Sequence, residues 1–137
     1  MGFIEGDHFD DEQCFTLLGR AQLGRIALSL RAVPVVFPVR YALNGGELLF
    51  TLSVEQLAKA LDRSIATLQA DGFEEDGGPR WTVLAAGTVQ RVDGFESLGT
   101  EAASVAMSLT PDPASGELHS LFRLHPVILS GRWMETL

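Results

Sequence analysis

The sequence predicts a mainly β protein, a small antiparallel barrel flanked by helices. Three observations carry that prediction. Short apolar stretches alternate residue by residue, as in Ile26, Leu28 and Leu30, or Trp81, Val83, Ala85, Gly87 and Val89. Turn residues separate these stretches at hairpin spacing, most clearly Asn44-Gly45-Gly46. Helical periodicity occurs at the start, after the third strand and late in the chain. Six or seven strands joined mostly by hairpins close naturally into a barrel.

The acidic opening predicts a disordered start over residues 1–9 and then a helix. Asp10 or Asp11 caps that helix, Cys14, Leu17 and Leu18 share one face, and Gly19 or Gly24 ends it. "RIALSL" is the first strand, and Arg31-Ala32 turns the chain into "VPVVFPVRYAL". Pro34 and Pro38, four apart, point to one face, and neither donates a ladder hydrogen bond. This strand is therefore an edge, or is interrupted where a ligand approaches its backbone. The Asn44–Gly46 turn leads to "ELLFTL", and Ser53 with Gln56 forms a capping box for a helix with Leu57, Ala60 and Leu61 on its apolar face. "SIATLQAD" is a fourth strand, "GFEEDGGP" an exposed acidic loop, and "RWTVLAAGTVQRV" a long strand. A further helix covers roughly Phe95 to Leu109. After the loop "PDPASG", the chain closes as two short strands around Pro126.

Composition narrows the function. The 137 residues fit one domain, and 46% hydrophobic content suffices for a core. One cysteine, Cys14, excludes an intramolecular disulfide; with no leader-like segment and no apolar run long enough to span a bilayer, the expectation is a cytoplasmic protein without a membrane partner. A formal charge of −8 disfavours nucleic acid. His8, His119 and His125 lack metal-ligand spacing, so no metal site is expected. No nucleophile elbow and no glycine-rich phosphate loop of the Rossmann or Walker type is present, and no catalytic residue can be assigned.

The junction "FTLSVEQLAKAL" bears on chemistry directly. Thr51 and Ser53 stand where a strand gives way to a helix, and the unpaired N–H groups of a new helix with neighbouring hydroxyls suit a phosphate. A serine before a helix is also an ordinary N-cap, and both readings stand at this stage. Arg40 is equally an outward strand arginine or a ligand contact. Trp81 and Trp133 either line a cleft or pack in the core or an interface.

Taken in order, several motifs resemble one family. Gly24-Arg25 opens the first strand. Pro34 precedes Pro38-Val39-Arg40-Tyr41 on the second, Phe50-Thr51 ends the hairpin, Arg80-Trp81-Thr82-Val83 begins the long strand, and Gly131-Arg132-Trp133 lies near the end. Over nearly its whole length the chain is similar to the pyridoxamine 5′-phosphate oxidase-like group, the flavin-binding split barrels. The resemblance implies a Greek-key split β-barrel, a homodimer, and FMN in clefts between the protomers; relatives with deazaflavin or haem are the alternatives. It implies that Pro38, Val39, Arg40 and Tyr41 face the flavin ring, and that Thr51 and Ser53, flanking Leu52, hold phosphate oxygens. Trp81 would shape the cleft, which Arg132 and Trp133 would close. The substrate-binding Arg-x-His arrangement of the named enzyme has no clear counterpart, so its reaction is not carried over.

One departure matters. The group's usual Gly-x-Lys after the threonine reads Val54-Glu55-Gln56, which leaves Gln56 where a lysine pairs with phosphate. A charge-assisted bond contributes about 1.5–3 kcal/mol against about 0.5–1.5 for a neutral one, so the exchange weakens FMN roughly tenfold or more unless Arg40, Arg63 or another arginine substitutes. Two functions follow: a flavin-dependent oxidoreductase acting on a small molecule, or a binding or sensor protein on the same dimeric fold that has lost or exchanged its cofactor.

Overall fold

The computed structural model describes residues 8–53, 55–73, 78–94, 98–109 and 119–134, and only the backbone of Glu55 and Gln56. The capping box, the acidic loop around Glu74–Asp76, the start of the late helix and the segment "PDPASG" therefore lie wholly or partly outside the described residues. The order is α1 (Asp11–Arg20), β1 (Leu23–Leu30), β2 (Val33–Asn44), β3 (Glu47–Leu52), α2 (Glu55–Leu61), β4 (Ile65–Phe73), β5 (Arg80–Val92), α3 (Thr100–Leu109) and β6 (Ser120–Met134).

Six antiparallel strands close in the order β1-β2-β3-β6-β5-β4. The first three form a meander, and the β3–β4 connection through α2 brings β4 back beside β1, which is the Greek-key step. The two tight hairpins differ in chemistry. Gly45 and Gly46 turn β2 into β3 with φ of 59° and 83°, conformations that cost glycine little. Arg31 and Ala32 make the β1–β2 turn at φ of 51° and 64°, where a Cβ is strained.

Inward residues of all six strands fill the barrel, with Ile26, Tyr41, Phe50, Leu68, Trp81, Val83 and Phe122 buried in one cluster. Asp10 caps α1 by accepting from the Gln13 N–H at 2.8 Å, and the helix buries Cys14, Leu17 and Leu18 in the same core. Neither proposed glycine ends α1: it stops at Arg20, and Gly24 lies inside β1, where a Cβ would come within 2.9 Å of the Gln69 carbonyl. Helix α2 adds Ala58 and Leu61 to the core. A second cluster lies outside the barrel, where α3 covers Leu49 with Ala106 and Leu109. Residues 8 and 9 are ordered: the Phe9 N–H donates to the Gly131 carbonyl at 2.8 Å, and His8 bridges to Arg132.

The chain's end corrects the sequence reading. The expected two strands around Pro126 are one strand, β6, paired with β5 from Met134 to Leu121. Register shifts between Ala86 and Gly87, so Val127 is an extra residue in a β-bulge. A proline is tolerated there because the ladder is already broken. Gly87 is required opposite, since a Cβ on it would collide with the His125 carbonyl.

Strand β2 is an edge over half its length. Val33–Arg40 pairs with β1, but β3 is opposite only from Tyr41 to Asn44. Both prolines fall in the half with one partner.

Candidate cofactor-binding face

Strand alternation divides the residues singled out by motif into two sets. Pro38, Arg40 and Ser53 are exposed, and Thr51 and Arg132 are partly exposed. Val39, Tyr41, Leu52 and Trp81 are buried, and Trp133 is half-buried with its ring edge-on to Phe9 at 5.0 Å. The buried set supports the site from within. Tyr41 donates its hydroxyl proton to the Leu18 carbonyl at 2.7 Å, tying β2 to α1, and burial pushes its pKa up. Trp81 lies over Gly72, where a Cβ would meet the indole at 2.7 Å, and its Nε1 has no partner among the described residues. Cys14 is buried beneath Gly131; burial first, then Asp11 and Asp10, raises its pKa and keeps it a thiol.

Of the outward set, Pro38 and Arg40 lie on the free half of β2 and Thr51 and Ser53 at the end of β3, whereas Arg132 stands apart on β6 opposite Thr82. The Tyr41 N–H donates to the Gln22 carbonyl at 3.0 Å, which continues the β1–β2 ladder by one residue. Odd-numbered residues of this half therefore turn their backbone groups toward β1, and Pro34, Val36, Pro38 and Arg40 turn theirs toward the open edge. That edge presents four carbonyls but only two N–H groups, because two of its residues are proline. It is a poor template for another strand and a good acceptor for a ligand's donors. Continuing the β2–β3 register by one pair beyond Tyr41–Phe50 sets Arg40 opposite Thr51, at the point where the strands separate. The proposed ring-facing strand and the proposed phosphate seat are thus neighbours. Thr51 is also engaged below: its hydroxyl donates to the Leu109 carbonyl at the end of α3, at 3.4 Å.

Across the same outward face, register aligns Pro38, Arg25, Gln69, Leu84 and Ser130 in one row and Val36, Ala27, Thr67, Ala86 and Ile128 in the next. The second row is apolar and flat, with no large side chain on its three central strands apart from threonine. Val36 is 62% exposed, Ile128 67% and Val127 72%. No helix covers these rows among the described residues. At the far end a depression of about 240 Å³ is lined by His8, Gln69, Thr82, Leu84 and Arg132, and the Gln69 amide donates to the Thr82 hydroxyl on its floor at 3.2 Å.

Arg63, considered as a replacement for the lysine, belongs elsewhere: it has φ 64° in the turn before β4, with its N–H bonded to the Val89 carbonyl. Gln56 lies in the first turn of α2, and its side chain is outside the described residues. The residue that sequence reasoning passed over is Arg25, quoted only as part of a motif. The signal was available, since Arg25 alternates with inward Ile26 and falls on the same side as Pro38. Among the described residues no His, Cys, Asp or Glu group is arranged to hold a metal ion, and no helix is long and apolar enough to cross a membrane.

A family model described as pyridoxamine 5′-phosphate oxidase matches residues 10–133. Among solved structures, a FAD binding protein from Mycobacterium smegmatis is 22% identical with a TM-score of 0.78, over 95% of this chain and 99% of that one. A FAD-binding protein from Mesorhizobium loti is 19% identical with a TM-score of 0.76, over 94% and 96%. A FAD and heme binding protein from Mycobacterium smegmatis is 15% identical with a TM-score of 0.71, over 95% and 74%. No curated protein matches the sequence.

Proposed function

Since this chain belongs to the pyridoxamine 5′-phosphate oxidase family, we propose that it binds a flavin, FMN or FAD, between the two copies of a homodimer, and serves as a flavin-dependent oxidoreductase toward a small molecule. The observation that carries this reading is the uncovered outward face: a flat apolar floor, an acceptor-rich backbone edge and arginines at one side. These residue types fit a flavin. A planar ring needs an apolar surface and backbone acceptors for its N–H, and its phosphate needs cations.

A bound flavin would supply hydride transfer, and no acid–base pair is assignable among the described residues. The chain's own part is to seat the ring against Val36 and Ala27 and to meet its polar edge with the carbonyls of Pro34 to Arg40. A second copy over Val36, Leu84, Val127 and Ile128 would exclude water from the ring and bury side chains that a monomer leaves in solvent. Two FAD-binding proteins share this fold at TM-scores of 0.78 and 0.76.

The test is fluorescence titration of the purified protein with FMN and FAD, alongside sedimentation analysis of its assembly. Saturable binding at micromolar or lower concentration by a dimer is expected, with Ile128→Asp shifting the chain to monomer and weakening the flavin. No flavin binding at any attainable concentration would remove the reading. The replacement of the usual lysine by Gln56 favours the second reading, a binding or sensor protein with another ligand, and haemin and a deazaflavin titrated in parallel decide between the two.

A further inference from the structure

We propose that Arg25 and Arg40 together form the anion subsite of the outward face, a place for the phosphate or pyrophosphate of a bound nucleotide-like ligand. The inference rests on the flavin reading for its ligand, and on three independent features for its place.

The first is geometry. Arg25 is paired directly with Pro38, and Arg40 lies two residues further along β2 on the same face. They are therefore diagonal cross-strand neighbours, a separation of roughly 7–8 Å between Cα atoms that long side chains span. Both are exposed, so both guanidinium groups can turn to one point above Pro38. The second is charge. Like charges in this relation repel, and neither arginine has an ion pair among the described residues, although the chain carries eighteen acidic side chains against ten basic ones. Asp71 is the acidic residue that shares a surface depression with Arg40, together with Ala21, Gln22 and Leu23, but it forms no ion pair with it. Two cations at adjacent positions, neither in an ion pair among the described residues, are a cost to the empty protein that an anion removes.

The third feature is continuity with the seat read from the sequence. Arg40 is the residue that register sets opposite Thr51, so the hydroxyls of Thr51 and exposed Ser53 border the subsite on one side and Arg25 borders it on the other. The positive charge absent at Gln56 is thereby restored from β1 and β2 rather than from α2. Guanidinium groups also match two phosphate oxygens at a time, which an ammonium does not.

The test compares riboflavin, FMN, FAD and inorganic pyrophosphate on the wild-type protein and on Arg25→Gln, Arg40→Gln and Asp71→Asn. Each arginine variant is expected to lose about tenfold or more in FMN and FAD affinity, the size of a charge-assisted bond, while riboflavin binding changes little. Asp71→Asn is expected to tighten FMN and FAD a few-fold and leave riboflavin unchanged. Increasing salt should weaken FMN and FAD in the wild type and less so in the arginine variants. Circular dichroism and melting temperature confirm that the variants, all at exposed positions, remain folded. If FMN and FAD bind all three variants with wild-type affinity, the subsite is wrong and the flavin reading survives. If no flavin binds but pyrophosphate does, and the arginine variants lose it, the flavin reading is wrong and the subsite stands. If folded wild-type protein binds neither flavins nor pyrophosphate, both fail.

Discussion

The barrel has two apolar outward regions, and the protein treats them differently. On β3 and the adjoining ends of β2 and β6, outward Leu49, Ala42 and Leu121 are covered by α3, so Leu49 is 2% exposed. On the open half of β2 and across β1, β4, β5 and the far half of β6, outward Val36, Leu84, Val127 and Ile128 carry no cover from the described residues. A strand that buries one face normally alternates apolar with polar residues, and both regions break that rule. The first break is explained by a helix of the same chain. For the second, no described residue of the chain gives an explanation, and the proposed dimer with its ligand would supply one.

The largest expected effect separates the two regions by truncation. Leu49→Ala should destabilise the protein by about 2–5 kcal/mol in urea unfolding, because it opens a cavity under α3. Ile128→Ala removes similar apolar volume from the uncovered face and should cost within about 0.5 kcal/mol in dilute monomer. At concentrations where copies associate, its cost should grow with protein concentration. Equal, concentration-independent losses at both positions would mean that the face is covered within one chain.

The shape of the uncovered region is the next target. Gly87→Ala sets a Cβ against the His125 carbonyl at the bulge that places Val127 and Ile128 side by side in solvent. The strain of such an overpacked contact is about 1–3 kcal/mol or more. The expected signature is a lower urea midpoint together with weaker association, since the ridge formed by Val127 and Ile128 moves. Lost stability with unchanged association would detach the bulge from the interface.

Much of the fold was legible in the sequence, the division of its outward face was not, and the misses have physical causes. Period-two alternation located β1 and β5, turn residues set off β2, β3 and β4 between them, and Asn44-Gly45-Gly46 located the β2–β3 turn. The bulge escaped because Pro126 is a strand breaker by composition, and only the opposing glycine, distant in sequence, lets the strand continue past it. The β2 prolines indicated an edge correctly, but an edge confined to half a strand depends on where β3 ends. For the site, motif matching gathered consecutive residues such as Pro38 to Tyr41 as though all faced a ligand. Alternation sends Val39 and Tyr41 into the core. Arg25 was underrated for the converse reason: its neighbours in the proposed subsite lie on other strands.

Tyr41 marks the seam between the two regions, being the residue at which β2 acquires β3 as a partner. Burial raises its pKa above the ordinary value near 10. The folded state therefore holds the proton more tightly than the unfolded state. That contribution is fully present below about pH 10 and is lost as pH rises toward the folded-state value, at up to about 1.4 kcal/mol per pH unit. It is the chain's one tyrosine, so the tyrosinate absorbance band should appear together with unfolding rather than before it. Tyr41→Phe should lower stability at neutral pH by about 1 kcal/mol, through the lost bond to Leu18. It should also reduce the alkaline slope; an unchanged slope would assign that slope to other groups, Cys14 among them.

The smallest effect concerns the tip of the uncovered hairpin, and it has the opposite sign. Arg31 and Ala32 turn β1 into β2 with both φ angles positive, whereas the hairpin beside the covered region uses two glycines for the same task. A Cβ in the left-handed region costs roughly 1–2 kcal/mol, and a glycine returns about 0.5–1 of that as unfolded-state entropy. Ala32→Gly should therefore stabilise the monomer by up to about 1 kcal/mol, read as a higher urea midpoint with an unchanged slope. The comparison sharpens if flavin affinity is measured on the same variant. Easing the turn lets the open half of β2, which β3 does not hold, sample more positions relative to β1. A gain in stability with a loss of affinity would show that the strained turn fixes the strand for its ligand; a gain in both would show that β1 alone suffices to hold it.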